Sequence, residues 1–223
     1  MTKLTDAVAK ILAENDYINF DDTELYAYGL RMFIFTVGQL LLMLLIALIF
    51  GKLPEVIIYL CLFIPVRIFG GGYHAGSRPK CFALSMGVLG VVIAWLHLIP
   101  HSLCRSLGLA TCALAGIAVF AFAPVAHKNK PLSQRETKVY GLITQIIIIL
   151  EIVLTVGYIK IFNADKYICA IAPANLSIVF SIIAAKIKEK NGGEKRMETA
   201  IAVVIIAIVV VVFFGAIVME HRK

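Results

Sequence analysis

Residues 32–50 read MFIFTVGQLLLMLLIALIF, nineteen residues without a charged side chain. A helix of about 20 apolar residues crosses the hydrocarbon core of a bilayer, so residues 32–50 predict a membrane-spanning helix. The pattern then repeats along the chain. The sequence therefore predicts an all-α polytopic membrane protein with six to seven transmembrane helices. Six further apolar segments follow: Leu53–Val66, Phe82–Ile99, Leu107–Pro124, Val139–Ile159, Tyr167–Ala185 and Thr199–Met219.

The composition of the 223 residues agrees with membrane embedding. Hydrophobic residues make up 61% and charged residues 16%, against about 45–50% and about 25% in soluble proteins. The mean hydropathy of +0.92 leaves too few polar residues to cover a water-soluble surface. A soluble domain, a disordered chain and a charge-rich coiled coil are therefore excluded.

The basic residues predict the orientation in the membrane. The net charge is +7, and its basic residues lie between apolar segments, so anionic lipid explains them more simply than nucleic acid. With seven spans and a cytoplasmic N-terminus, fifteen Lys and Arg fall in cytoplasmic segments and six in outer ones. Leu53–Val66 is the weakest span, since it is short and contains Pro65, and we expect it to be short, tilted or re-entrant. Omitting it would spoil this asymmetry.

The N-terminal segment has a different character from the spans. It is polar and acidic, but its apolar residues fall on one helical stripe. We therefore predict an amphipathic helix on the membrane surface or on the protein itself. The stripe consists of Leu4, Val8, Ile11 and Leu12.

A hydrophilic connection between two spans carries candidate chemistry: residues 67–81 read RIFGGGYHAGSRPKC. Its glycines and Pro79 favour a shaped loop over a regular helix. His74 and Cys81 are the pair that a thiol nucleophile requires, because cysteine attacks as thiolate and a histidine can take its proton. Arg78 and Lys80 would stabilise that anion. From these residues alone, a catalytic role and a plain structural role both stay open.

This loop resembles the signature of the accessory gene regulator B (AgrB) family, which comprises membrane cysteine endopeptidases that mature quorum-sensing propeptides in Gram-positive bacteria. A second resemblance is the run Ala123-Pro124-Val125-Ala126 with the basic loop from His127 to Pro131 behind it. The resemblance covers roughly residues 30–190, and Thr199–Met219 departs from it, since the family pattern ends after six spans. The first motif is carried by Arg67, the glycines ending at Gly72, His74-Ala75, Cys81 and Ser85.

The resemblance implies a site and a reaction. Cys81 would be the nucleophile and His74 the general base, and a propeptide cysteine would take the acyl group from Cys81 to close a cyclic thiolactone. The supporting loop would consist of Arg67, Gly71, Gly72 and Ser85.

The resemblance also implies a setting for the reaction. The partners would be an AgrD-like propeptide and the lipid bilayer, with a homodimer left open and no nucleic acid, cofactor or metal expected. The chain would lie in the bacterial cell membrane as a multi-pass protein with its active site on the cytoplasmic side. The domains would be a cytoplasmic amphipathic segment (1–31), a membrane-embedded protease core (32–190), and a linker with an extra transmembrane helix (191–223).

Two further residue groups have competing interpretations. Lys128, Lys130 and Arg135 form a basic patch that either orients the chain or binds an acidic propeptide. His97, His101 and Cys104 have a metal-like spacing, but Pro100 interrupts it and we predict no metal there. The five cysteines are scattered without a CxxC pair, so we predict no disulfide framework.

Two other functional classes compete with the protease interpretation. A peptide exporter or channel without proteolytic chemistry predicts polar residues on several spans, of which there are few. A helical scaffold, in which Cys81 is merely a small apolar residue, gives no reason for the glycine-rich loop beside His74 and two basic residues.

Overall fold

The computed structural model describes residues 2–73, 75–125, 132–162 and 167–191, and the structural statements below concern these residues. Short 3-10 turns at Phe20–Asp22 and Ile168–Ala170 precede the second and the seventh helix. The predicted all-α class is confirmed. The helices are α1 (Thr2–Glu14), α2 (Thr23–Ile49), α3 (Leu53–Gly70), α4 (Arg78–Leu98), α5 (His101–Phe122), α6 (Gln134–Phe162) and α7 (Ile171–Asn191).

Helices α2 to α7 are each long and apolar enough to cross a membrane. Together they make the chain a polytopic membrane protein with six candidate spans, as predicted. The predicted seventh span, Thr199–Met219, lies outside the described residues, as does most of the segment 191–223.

Helix α3 differs from the expectation of a short or re-entrant segment. It has 18 residues, long enough for a span, and its end lies four residues beyond Val66. Pro54 occupies the first turn, where the missing N–H would have no helical partner. The helix continues through Pro65 to Gly70, although a proline inside a helix removes one backbone hydrogen bond. Arg67 therefore lies in the last turn of a full-length helix.

The chain divides into two compact units, of which the first is Met1–Ile46. Here α1 is the predicted amphipathic helix, and Arg31 of α2 forms an ion pair with Asp6 at 2.8 Å. Leu4 and Ile11 are exposed, whereas Thr5, Ala9 and Ala13 are buried. Apolar side chains of α1 and α2 line a cavity of about 480 Å³, namely those of Val8, Ala9, Leu12, Leu25, Tyr26, Leu30 and Phe33 together with Gly29.

The second unit begins at Ala47, and α7 supplies much of its core. Small buried residues on α7, such as Ala172 and Ala174, allow neighbouring helices to approach closely. A buried apolar cluster joins α7 to the end of α3 and to the connection after α5. Tyr73 also belongs to this cluster, and it lies in the connection between α3 and α4, residues 71–77, here called the glycine loop. The core thus reaches the glycine loop.

The cysteines correct one prediction. Cys104 of α5 and Cys169 of the second 3-10 turn are joined by a disulfide, with their Cα atoms 4.7 Å apart. The two residues are 65 positions apart in sequence, so spacing gave no sign of the pairing. Cys61, Cys81 and Cys112 are free thiols.

Candidate active site

The glycine loop is held first by the connection after α5. The backbone N–H of Val125 donates to the Gly70 carbonyl at 2.9 Å, and Gly71 pairs with Val125 in an isolated parallel bridge. Gly71 has a φ of +73°, and a Cβ there would collide with the carbonyl oxygen of Val125. Only glycine combines this dihedral with so close a backbone approach. The two motifs noted in the sequence are therefore in direct contact.

The loop is held a second time by α7. The backbone N–H of Tyr73 donates to the carbonyl oxygen of Ser181 at 2.9 Å and lies 3.3 Å from its Oγ. A Cβ on Gly72, whose φ is +132°, would collide with that Oγ. Ser181 belongs to the candidate span 168–188, so the irregular loop packs against a candidate span. Its backbone is tolerated there because protein groups satisfy it.

Arg67 joins α3 to the loop. Its Nη2 donates a hydrogen bond to the Tyr73 carbonyl. Its Nη1 is buried and has no hydrogen-bond partner in the described part of the chain. A buried cation with one unused donor therefore holds the loop that leads to the predicted nucleophile.

Cys81 lies in the first turn of α4. Its backbone N–H donates to the carbonyl of Ser77, the N-cap residue, at 3.0 Å, and its thiol is free and partly buried. Arg78 and Lys80 share this turn and are exposed. The positive end of a helix and nearby cations both stabilise an anion, so the position suits a thiolate. Ser85 donates from its Oγ to the Cys81 carbonyl at 3.0 Å, one turn along the helix.

Some of the predicted site residues are not among those that the structure describes. His74, Lys128 and Lys130 lie outside the described residues. Residues 75–77 are not helical and α4 begins at Arg78, in agreement with the predicted shaped loop. Arg135 is exposed in the first turn of α6.

Two residues that hold the loop were not predicted. Ser181 contacts Tyr73 across 108 positions of sequence, and the Nζ of Lys188 lies 5.1 Å from the centre of the Tyr73 ring, a cation–π distance. Ser181 is a single hydroxyl within an apolar segment, and Lys188 belongs to a basic run that the orientation rule already explains. Neither residue carries a local signal of its role.

The structure groups histidine and cysteine differently from the sequence spacing, which had suggested His97, His101 and Cys104 as a set. The Nδ1 of His97 lies 2.9 Å from the Ile93 carbonyl. The donor atoms of His101, Cys104 and Cys169 lie within 4.8 Å of one another. The two sulfurs are bonded to each other, so this donor set does not fit a metal in the form that the structure shows.

Fold and site together define an all-α polytopic membrane protein with a free cysteine after a glycine-rich loop that packs against a candidate span. The chain belongs to the accessory gene regulator B family, whose model matches residues 5–221. The match is wider than the two motifs alone indicated, and it includes the segment Thr199–Met219. Membership associates the chain with quorum-sensing peptide processing and implies an AgrD-like propeptide as partner.

Two Clostridium perfringens proteins are similar to the chain. AgrB-like protein 2 of strain 13 (type A) is 26% identical over 147 residues, which cover 60% of this chain and 67% of that protein. An AgrB-like protein of strain SM101 (type A) is 25% identical with the same coverage. No solved structure matches the chain.

Proposed function

We propose that this chain is a membrane cysteine endopeptidase that cleaves a quorum-sensing propeptide and releases it as a cyclic thiolactone. The observation that supports this best is the free, partly buried Cys81 thiol in the first turn of α4, directly after the loop whose Tyr73 carbonyl accepts a hydrogen bond from Arg67. Family membership supplies the class of substrate.

In the first step, His74 takes the proton of the Cys81 thiol, and the thiolate attacks the scissile carbonyl carbon. The negative charge then moves to the carbonyl oxygen. Arg67 is the proposed stabiliser of this charge, since its buried Nη1 has no other partner in the described part of the chain. Donors that are already aligned are effective, because they need no reorganisation during the reaction. The contacts of the loop with Val125 and Ser181 provide that rigidity.

In the second step, the carbon–nitrogen bond breaks and His74 gives its proton to the leaving amine. The product is a thioester between the propeptide and Cys81. A cysteine thiol of the propeptide then loses its proton to His74 and attacks the thioester carbonyl, and Cys81 leaves as thiolate. One thioester replaces another, so the ring closes without ATP.

The basic patch of Lys128, Lys130 and Arg135 is proposed to bind the acidic C-terminal part of the propeptide from the cytoplasmic side. The N-terminus and the glycine loop are likewise proposed to lie on the cytoplasmic side of a bacterial cell membrane. The orientation is tested by single-cysteine labelling in intact cells with a membrane-impermeant maleimide. A cysteine at position 78 should stay unlabelled until the cells are permeabilised, whereas one at position 102 should be labelled at once. The reverse result would overturn the orientation.

The reaction is tested with the full chain reconstituted in lipid vesicles, together with the peptide encoded by the short reading frame beside its gene. Mass spectrometry should detect the cleaved C-terminal fragment, a cyclic product lighter by one water than the linear peptide, and an acyl adduct on Cys81. Cys61→Ala is the matched control, because Cys61 is a free, exposed thiol on α3. Peptide that crosses the membrane uncleaved would favour the exporter alternative.

A further inference from the structure

A second cysteine site lies at the opposite end of the helices from Cys81. Helix α4 has 21 residues and starts at the turn that holds Cys81, so its far end is about 30 Å away at 1.5 Å per residue. His101 and Cys104 follow that far end directly, in the first turn of α5. Cys169 lies just before α7, twelve residues ahead of Ser181, which contacts the glycine loop. The disulfide and the glycine loop therefore lie towards opposite faces of the membrane.

This buried cysteine pair has an exposed histidine beside it. Both cysteines are buried, with exposed fractions of 1% for Cys104 and 2% for Cys169. The Nδ1 of His101 lies 3.3 Å from the sulfur of Cys169, and His101 itself is exposed. A histidine at this distance can take the proton of a thiol and leave the reactive thiolate. Disulfides persist in oxidising compartments outside the cytoplasm.

We infer that His101, Cys104 and Cys169 form a thiol-oxidation site on the extracytoplasmic face, and that the disulfide is its mature state. His101 takes the proton of Cys169, whose thiolate attacks one sulfur of an external disulfide oxidant and displaces the other as a thiolate. The displaced thiolate takes the proton of Cys104, and the Cys104 thiolate then attacks the Cys169 sulfur and displaces the second oxidant thiolate, to which His101 gives its proton. Two electrons leave with the oxidant, which becomes a dithiol after taking up the two protons.

The Cys104–Cys169 disulfide connects the ends of the two helices that hold the glycine loop. Val125 follows α5 and Ser181 lies on α7, and both contact the glycine loop. The disulfide joins the first turn of α5 to the turn before α7, at the other ends of the same helices. It therefore keeps α5 and α7 together on one face, while the reaction proposed above occurs near the other. The site does not depend on that reaction, because it is complete without Cys81.

The bond is tested by differential thiol labelling of the full chain in cells. Cells are quenched with acid, denatured and alkylated with N-ethylmaleimide, and the protein is then reduced and labelled with a maleimide–polyethylene glycol. The wild type should carry two polymer chains, and so should a Cys112→Ser control. Cys104→Ser and Cys169→Ser should each carry none. A wild type without polymer would overturn the inference, and retention of one equivalent of Zn²⁺ by such a protein would identify a metal site instead.

The face and the role of His101 are tested by re-oxidation. Intact cells are treated with a reductant, washed and given oxidised glutathione, which does not cross the membrane. The wild type should regain the bond, and His101→Ala should regain it several-fold more slowly, whereas His97→Ala should match the wild type. Re-oxidation only after permeabilisation would overturn the assigned face. Equal rates for His101→Ala and wild type would overturn the role of the histidine.

Discussion

Cysteines at the two ends of the second unit lie in opposite chemical surroundings. Cys81 is free and partly buried in a first helical turn that it shares with the exposed Arg78 and Lys80. Cys104 and Cys169 are buried and bonded to each other. A thiol among cations is suited to nucleophilic attack, and a thiol with a second thiol at disulfide distance is suited to cross-linking. The groups around each cysteine and its position in the fold, rather than the residue type, therefore distinguish a nucleophile from a cross-link.

The largest expected effect is on the rate of propeptide cleavage, and it should follow loss of Cys81 but not loss of the disulfide. Cys81→Ala should lower the single-turnover rate of propeptide cleavage by about 10⁵-fold or more, because removal of a nucleophile abolishes the covalent step. The double variant Cys104→Ser/Cys169→Ser should cleave within about threefold of wild type, since the two substituted positions lie about 30 Å from the reaction. Both rates are measured by mass spectrometry of the fragments.

The control for this prediction is membrane insertion, which both variants should retain. Near-wild-type cleavage by Cys81→Ala would exclude the thiol mechanism. Loss of cleavage in the double serine variant despite normal insertion would mean that the disulfide governs the glycine loop directly.

The next effect concerns the contact between the loop and Val125. Gly71→Ala should lower cleavage by about 10–100-fold, because its Cβ would collide with the Val125 carbonyl and displace the loop; displacement by about 1 Å can cost that much. Gly87→Ala is the matched control on α4, where no atom lies within 4 Å of the added Cβ. Initial rates at saturating propeptide compare the two variants, and equal rates would contradict the proposed rigidity of the loop.

A smaller effect is expected from the basic patch. Neutralising Lys128, Lys130 and Arg135 together should raise KM by about tenfold with kcat little changed, because an ion pair at a protein surface contributes about 0.2–1 kcal/mol. High salt should produce the same defect in wild type, since ions screen exposed charges. A collapse of kcat that no propeptide concentration restores would instead place the patch in the catalytic apparatus.

The smallest effect concerns the side-chain contact with α7. Ser181→Ala should lower kcat by about threefold without changing KM, because the Tyr73 N–H loses its contact with the Oγ but keeps the Ser181 carbonyl. Ser177→Ala, one turn earlier on the same helix, removes contacts with Tyr59 and Pro173 and not with the loop. It should leave kcat unchanged. An equal loss in both variants would indicate general destabilisation of α7.

Much of the fold could be predicted because a span is a local property. An uncharged run such as residues 32–50 needs no distant partner to be assigned to the bilayer, and six candidate spans agree with the prediction. Local cues were insufficient for α3, because Pro65 suggested an interruption that the full helix does not show. The glycine run and Cys81 were also visible locally, since their residue types are unusual between two spans.

The amino-acid sequence alone thus determined the class of protein, the number of spans to within one, and the loop that carries the candidate chemistry. Only the tertiary structure joined Gly71 to Val125 and Tyr73 to Ser181, and only it paired Cys104 with Cys169. The physical reason is that partitioning into a membrane is a sum over neighbouring residues. Contacts between helices depend instead on how distant segments pack, and a pair separated by 108 positions leaves no periodic trace in the chain.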